Sequence, residues 1–374
     1  MNVLHVFSNW KWTGPAEHAL NTAAYFIKKG HDIIFACPAP PLPVEDSLKK
    51  RAEKNGLVIE EGLYLNKHFH LWQDAHDIFC LNSVMRKNRF DLIHTHLLND
   101  HLIAAMASRL NRRPIPIVRT VYEGMGPPPT IRNRLLLNHY TDSLITVSDA
   151  SRNAIITTFG LPEDRISTIC PGVDCSRFNP LIDGSSVRLR YAIGSADPVL
   201  GIVARVQKHR RFDVFIKALQ YALGEIPELK ALVIGRGTHI EEIAIQPVRN
   251  LGLEDHFIFT GYELEGYPEL LAALDFKLFL VPGSDGSCRA VREAMAMGKP
   301  VIVAKRGMLP ELVEDGISGM VVDDTPENLA QAIVTLARDV PLRKKMGEAA
   351  RKRIVSDFSL TVQLEKVEAV YRHY

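Results

Sequence analysis

The sequence predicts an α/β protein of two doubly wound, Rossmann-like domains in tandem. Three observations carry that prediction. Short β-branched runs alternate with helical patterns almost from end to end. The alternation breaks once, over 170–198, and then restarts. A chain of 374 residues is too long for one ordinary core and suits two of roughly 180 residues. Strand–helix alternation of this kind builds a parallel sheet covered on both faces.

In order, strands are expected at 2–8, 32–38, 91–96, 115–122 and 143–148, where Val, Ile, Leu and Phe cluster in short runs. Helices are expected at 15–30, 71–87, 100–110, 131–139 and 150–159, the first closed by Gly30 at a plausible C′ position. Over 170–198 the periodicity is lost and Pro171, Gly172, Pro180, Gly184, Gly194 and Pro198 gather, which reads as an inter-domain connection. The second half gives strands at 199–206, 229–234, 257–261, 276–281, 301–304 and 320–322. Its helices are expected at 212–223, 267–274, 289–297 and 326–338. Two further helical stretches, 342–355 and 360–371, have no strand after them. The domains are set at 1–180 and 181–355, with 356–374 as a terminal helix.

Hydrophobic residues make up 46% and charged residues 24%, the profile of a soluble globular protein. A net charge of +2 argues against a nucleic-acid binder working by bulk phosphate neutralisation. Five cysteines (Cys37, Cys80, Cys170, Cys175, Cys288) form no CxxC pair, which fits reduced thiols in a cytoplasm. The opening MNVLHVFSNW lacks the pattern of a signal peptide, and no apolar run approaches the ~18 residues that span a bilayer.

The segment 282–302, PGSDGSCRAVREAMAMGKPVI, is the most informative. A strand runs into a Gly-rich loop that opens onto a helix, so free backbone N–H groups and the positive end of the helix dipole lie at the loop. Asp285 and Glu293 stand eight residues apart. They read equally as a dipole-compensating acid with a solvated helix Glu, or as acceptors for sugar hydroxyls. In 201–213, GIVARVQKHRRFD, a strand ends in Arg205, Lys208, Arg210 and Arg211. Such a run is commonly a solvated loop, but at the carboxyl end of a parallel strand it can neutralise a diphosphate leaving group. Gly235-Arg236-Gly237 is a close-approach turn without full dinucleotide spacing.

In the first half, Gly14 permits close backbone approach and Pro15 suits the first helical position. His94 and His96 share one face at the end of a strand. A metal pair would need a third ligand, and none with fitting spacing is evident apart from His101. His94 reads as structural, and His96, nearer the strand end, as the better candidate for the site. The helix at 131–139, with Arg112, Arg113 and Arg119 near it, reads as a core helix or as a contact to an anionic membrane surface.

Together these segments resemble the family 4 retaining glycosyltransferases of GT-B fold over nearly the whole chain. The family's Gly-Gly-Ala-Glu turn is matched by Gly14-Pro15-Ala16-Glu17, and its Asp-x-x-His-x-His by Asp91 to His96. Its linker serine and Pro-Asn-Gly-Val-Asp run correspond to Ser148 and to Cys170-Pro171-Gly172-Val173-Asp174 with Phe178. Its Arg-x4-Lys-Gly-x-Asp aligns with Arg205, Arg210, Arg211 and Asp213, and its acid-x7-Glu motif with Asp285 to Glu293. Pro15 replaces a Gly, Arg210-Arg211 replaces Lys-Gly, Pro171 replaces Asn, and Asp285 replaces Glu.

The resemblance implies a nucleotide-sugar donor held by the C-terminal domain, and a glycan or lipid-linked acceptor held by the N-terminal one. Glu293 would hold the ribose hydroxyls, and Arg205 with Arg210 the departing diphosphate. Amides of Arg289 and Ala290 would assist, and those of Ser287 and Cys288 would approach the sugar. Asp285 would bond sugar hydroxyls, His96 would lie beside the reacting sugar, and Gly14 would approach the phosphates. The resemblance further implies no cofactor or metal, a terminal helix crossing back, and a place in bacterial envelope glycan or lipopolysaccharide synthesis. The enzyme would be cytoplasmic or peripheral to the inner membrane face. A nucleotide-sugar 2-epimerase or hydrolase and a non-catalytic sugar-nucleotide binder are the competing readings.

Overall fold

In the computed structural model the described residues are 1–261, 266–282 and 288–374. They form two compact units, one of residues 1–171 with 363–374, the other of 172–282 with 288–362.

The first unit is built on seven strands: β1 (Asn2–Val6), β2 (Asp32–Ala36), β3 (Val58–Glu60), β4 (Leu92–Thr95), β5 (Ile117–Val121), β6 (Ser143–Thr146) and β7 (Ile166–Thr168). All pairings are parallel, in the order β3-β2-β1-β4-β5-β6-β7. Its helices are α1 (Gly14–Lys28), α2 (Leu48–Lys54), α3 (Leu71–Lys87), α4 (Leu98–Arg109), α5 (Ile131–His139) and α6 (Asp149–Phe159). The strand period of two divides the apolar residues between the faces. Val3 and Phe7 join Leu20, Phe26 and Leu48 of α1 and α2 in one core. Leu4 and Val6 join Leu81, Met85, Ile103 and Leu136 of α3, α4 and α5 in another. With both faces covered, β4 and β5 are buried at every residue, so their sequences read as unbroken apolar runs apart from the groups discussed below.

The second unit has six strands: β8 (Val199–Val203), β9 (Lys230–Ile234), β10 (Phe257–Gly261), β11 (Phe276–Phe279), β12 (Val301–Ala304) and β13 (Gly319–Val322). They too are parallel, in the order β10-β9-β8-β11-β12-β13. Its helices are α7 (Ser185–Arg190), α8 (Phe212–Leu223), α9 (Gln246–Asn250), α10 (Tyr267–Ala272), α11 (Arg289–Ala296), α12 (Leu309–Leu312), α13 (Pro326–Arg338) and α14 (Val340–Asp357). Phe215 and Leu219 of α8 share a core with Leu329, Ile333 and Leu336 of α13. The last helix, α15 (Leu360–Tyr371), starts in this unit and belongs to the first from Gln363 onward.

The expected doubly wound architecture is present twice. The chain leaves the first unit after Pro171, and 172–180 belongs with the second. Val173 bridges Ser359, and Arg351 donates to the Phe178 carbonyl at 2.8 Å. A Cβ at Gly172 would stand 2.5 Å from the Ser359 carbonyl oxygen, so only glycine lets the two segments approach. Strand order reverses between β1 and β4 in one sheet and between β8 and β11 in the other. Ligands of open α/β sheets bind at the carboxyl ends beside such a reversal.

Candidate functional site

In the second unit, β11 leads toward α11, whose preceding residue Cys288 is buried and left-handed at φ 46°. Asp285 and Ser287 lie outside the described residues. Glu293, on the second turn of α11, is 2% exposed. Arg289 Nε donates to its Oε1 at 2.6 Å and the Tyr267 hydroxyl donates to its Oε2 at 2.8 Å. The solvated-Glu reading therefore fails at this position. Lys277 of β11, fully buried beneath the helix, donates to the Ala290 carbonyl. Desolvation lowers its pKa to about 7, against the pull of the Glu293 charge.

The basic run after β8 divides. Arg205 is exposed. Arg210 donates to the Val281 carbonyl at 2.7 Å, tying the β8 loop to the end of the β11 segment at the strand-order reversal. Arg211 takes the left-handed conformation at φ 61°, which glycine adopts without penalty. Its guanidinium binds Asp324 at 2.9 Å, beside Arg306 on the same carboxylate. Gly235, at φ 149°, passes so close to the β8 loop that a Cβ would stand 2.1 Å from the Ala204 carbonyl oxygen.

In the first unit, Gly14 is the first residue of α1, behind the N-cap Thr13, whose side chain accepts from the Ala16 amide. Trp12 lies under the Arg51 guanidinium, 4.2 Å from its ring centroid, and Arg51 is forked onto Asp46. Both line a cavity of about 520 Å³ with Glu17, Asn21 and Lys50.

Asp91 accepts from the Asn2 amide at 2.8 Å, where β4 begins beside β1. At the other end of β4, His94 and His96 are both buried, 2% and 1% exposed, so the expected difference in depth between them is not found. Tyr371 of α15, which local sequence patterns do not point to, closes over them. Its hydroxyl bridges His94 Nδ1 and His5 Nε2, the latter at 3.3 Å. His5 Nδ1 meets His96 Nε2 at 3.2 Å, His96 Nδ1 meets the Tyr122 hydroxyl at 3.2 Å, and His94 Nε2 meets Thr120 at 2.7 Å.

Six groups with one proton each (Thr120, His94, Tyr371, His5, His96, Tyr122) are thus joined by five contacts. The protons suffice for every contact with all three imidazoles neutral. Burial depresses all three pKa values, that of His5 to about 3. The third histidine of the cluster is His5 of β1. The nitrogen atoms of His5, His94 and His96 come within 4.8 Å of one another, the one such group of possible metal ligands among the described residues. His101 instead bonds Thr141 at 2.9 Å.

Asp100, buried in the first turn of α4, accepts from the amides of Ser8, His96 and Leu97 and pairs with Arg119 at 3.4 Å. Desolvation nevertheless raises its pKa to about 6. Arg119, expected near a surface patch, is 1% exposed because this pair and the Leu97 carbonyl hold it inside. Sequence reasoning missed Tyr267, Lys277, Asp100, Tyr371 and the burial of Arg119. Lys277 and Arg119, single cations inside apolar strands, are the signals that were available.

Two Rossmann-like units, each with polar groups gathered where its strand order reverses, are the architecture of the GT-B fold. The profile described as glycosyltransferase family 4 matches residues 12–177, and that described as glycosyl transferases group 1 matches 188–353. A GDP-mannose-dependent alpha-(1-6)-phosphatidylinositol monomannoside mannosyltransferase of Mycolicibacterium smegmatis is 30% identical over 263 residues, 67% of this chain and 68% of that one. An N-acetyl-alpha-D-glucosaminyl L-malate synthase of Bacillus anthracis is 27% identical over 298 residues, 77% of this chain and 76% of that one. The crystal structure of Anabaena Alr3699/HepE in complex with UDP superposes with a TM-score of 0.84 at 22% identity, covering 100% of both chains. The chain belongs to the family 4 glycosyltransferases of GT-B fold, and it is an enzyme.

Two expectations follow from the buried charges. His5, His94, His96 and His101 all have lowered pKa values in the fold, so below about pH 6.5 the unfolded chain takes up protons that the folded one refuses. Asp100 opposes them, since its raised pKa lets the folded state hold one proton more between 3.8 and about 6. Four histidines outweigh one aspartate, so the Tm should fall steeply from pH 6.5 toward pH 4.5. A Tm level to pH 5 would show the imidazoles to be hydrated.

Lys277 gives the second expectation. With its pKa lowered from 10.5 to about 7, the charged form penalises folding fully below pH 7, and the penalty fades as pH rises to 10.5. The Tm difference between Lys277→Met and wild type should therefore shift against the variant from pH 7 to pH 10. A difference independent of pH would mean that Lys277 keeps its ordinary pKa.

Proposed function

We propose that this enzyme is a retaining glycosyltransferase that moves a sugar from a nucleotide-sugar donor to a glycan or lipid-linked acceptor. Its place is in bacterial cell-envelope polysaccharide or lipopolysaccharide synthesis. The observation that carries the reading is Glu293, a buried carboxylate held by two protein donors on the helix that follows the strand-order reversal. A carboxylate so placed accepts hydrogen bonds from a diol, as a ribose offers.

In this reading Arg205 and Arg210 stabilise the negative charge that grows on the departing nucleoside diphosphate, which is the main catalytic task. The start of α11, with Cys288, Arg289 and Ala290, supplies amides to the donor, as does Ser287. Asp285 accepts from the sugar hydroxyls, and Gly14 lets α1 approach the phosphates. His96 reaches the reacting sugar by exchanging its bond to Tyr122. The cavity beside Trp12 has both charge signs and an aromatic wall, which suits a polar acceptor. The Mycolicibacterium relative is named for a phosphatidylinositol-based acceptor.

The reading includes a cytoplasmic enzyme that meets the inner membrane face through α5. That helix buries Leu136 and Leu137 but exposes Ile131 and Leu135 on either side of Arg132 and Arg134. Apolar side chains among cations are what an anionic lipid surface attracts. No described helix is long and apolar enough to cross a membrane.

The test is product analysis with UDP-, GDP- and ADP-sugars and a panel of glycan and lipid-linked acceptors. A transferase forms a glycoside of retained anomeric configuration only when acceptor is present. Free sugar released without acceptor would favour a 2-epimerase or hydrolase, and absent turnover a binding protein. Arg205→Ala and Arg210→Ala should each lose ~10²-fold or more in turnover. Near-unchanged rates in both would remove the diphosphate role. The catalysis we propose uses no metal, so EDTA should leave the rate largely unchanged. Loss restored by one particular divalent ion would overturn that part.

A further inference from the structure

A carboxylate buried to 2% needs partners for its charge, and Glu293 has them on both oxygens. Each carboxylate oxygen carries two lone pairs. Among the described residues Arg289 takes one on Oε1 and Tyr267 takes one on Oε2, which leaves one lone pair on each oxygen for a ligand.

The two donors are not equal. The Arg289 side chain is 39% exposed and lies one helical turn from Glu293, so solvent and rotamer freedom weaken its hold. Tyr267 is half-buried, but its ring is pinned edge-on to Phe178 at a centroid distance of 5.9 Å and an interplanar angle of 77°. Burial and the Glu293 charge keep its hydroxyl protonated, so it stays a donor. Lys277 supports the same turn from below through the Ala290 carbonyl.

We propose that Tyr267 is a positioning residue for nucleotide recognition. Its hydroxyl fixes the rotation of the Glu293 carboxylate so that the free lone pairs of both oxygens meet the 2′- and 3′-hydroxyls of the donor's ribose. Tyr267 does not touch the nucleotide; it sets how well the enzyme distinguishes a ribose from a sugar lacking those hydroxyls. The inference rests on reading Glu293 as the ribose ligand.

The test compares dissociation constants for whichever of UDP, GDP and ADP binds wild type most tightly, and for its 2′,3′-dideoxy counterpart. Wild type, Glu293→Gln and Tyr267→Phe are measured. Wild type should prefer the ribonucleotide by ~10²-fold, from two hydrogen bonds to a charged group, and Glu293→Gln should lose most of that preference. Tyr267→Phe keeps the ring and its packing. It should weaken the ribonucleotide about tenfold, while the dideoxy form binds as before.

Equal weakening of both nucleotides would make Tyr267 a structural residue and overturn the proposal. So would an unchanged preference in Tyr267→Phe. If Glu293→Gln retains the full preference, the role of Glu293 itself falls, and the proposal falls with it. If none of the three nucleotides binds, the donor reading fails first. Should Tyr267→Phe not fold, Tyr267→Met, which also lacks the hydroxyl donor, is held to the same two ratios.

Discussion

A polar side chain taken out of water must find its partner inside the protein. In this enzyme that constraint bears hardest at the carboxyl ends of the two parallel sheets. A sheet covered by helices on both faces gives its central strands no contact with solvent. Yet imidazoles, carboxylates and cations gather there. The chain reconciles the two by drawing partners from distant positions: Tyr371 for His5 and His94, Arg119 for Asp100, and Tyr267 for Glu293.

The two units answer the constraint with different chemistry. At the histidine cluster of the first, neutral groups pass hydrogen bonds along a line in which the number of protons suits the number of contacts. Such a line carries no net charge, so an added proton costs the desolvation of a buried cation. In the second, ionisable groups gather around a single helical turn, with Arg289 paired to Glu293 and Lys277 on the Ala290 carbonyl. Here a low dielectric strengthens attraction and desolvation cost alike, so a small change in geometry carries a large consequence.

The sheets were legible in the sequence because their buried strands are short, apolar and β-branched, and the helices between them keep a period near 3.6. Two edge strands escaped. β3 and β7 have three residues each, too few to show a period. Glu293 and Arg210 were singled out from motif spacing, and both are held at the strand-order reversal. What local pattern could not give was pairing at a distance. Tyr267 and Tyr371 read as ordinary helical aromatics until the fold brings them to Glu293 and to the histidines. Arg119 read as a surface cation because a sequence does not show the Asp100 carboxylate waiting inside. His94 and His96 were ranked by depth along one strand, but a helix from the far end of the chain covers both.

That covering helix bears on how the protein is made. A ribosome releases residues 1–171 before any of α15 exists, and at ~5–20 residues per second the 200 residues from 171 to 371 take about 10–40 s. Throughout that interval the first unit lacks the phenol that bridges two of its buried imidazoles. The half that is synthesised first is therefore finished last, sealed only when Tyr371 emerges and docks.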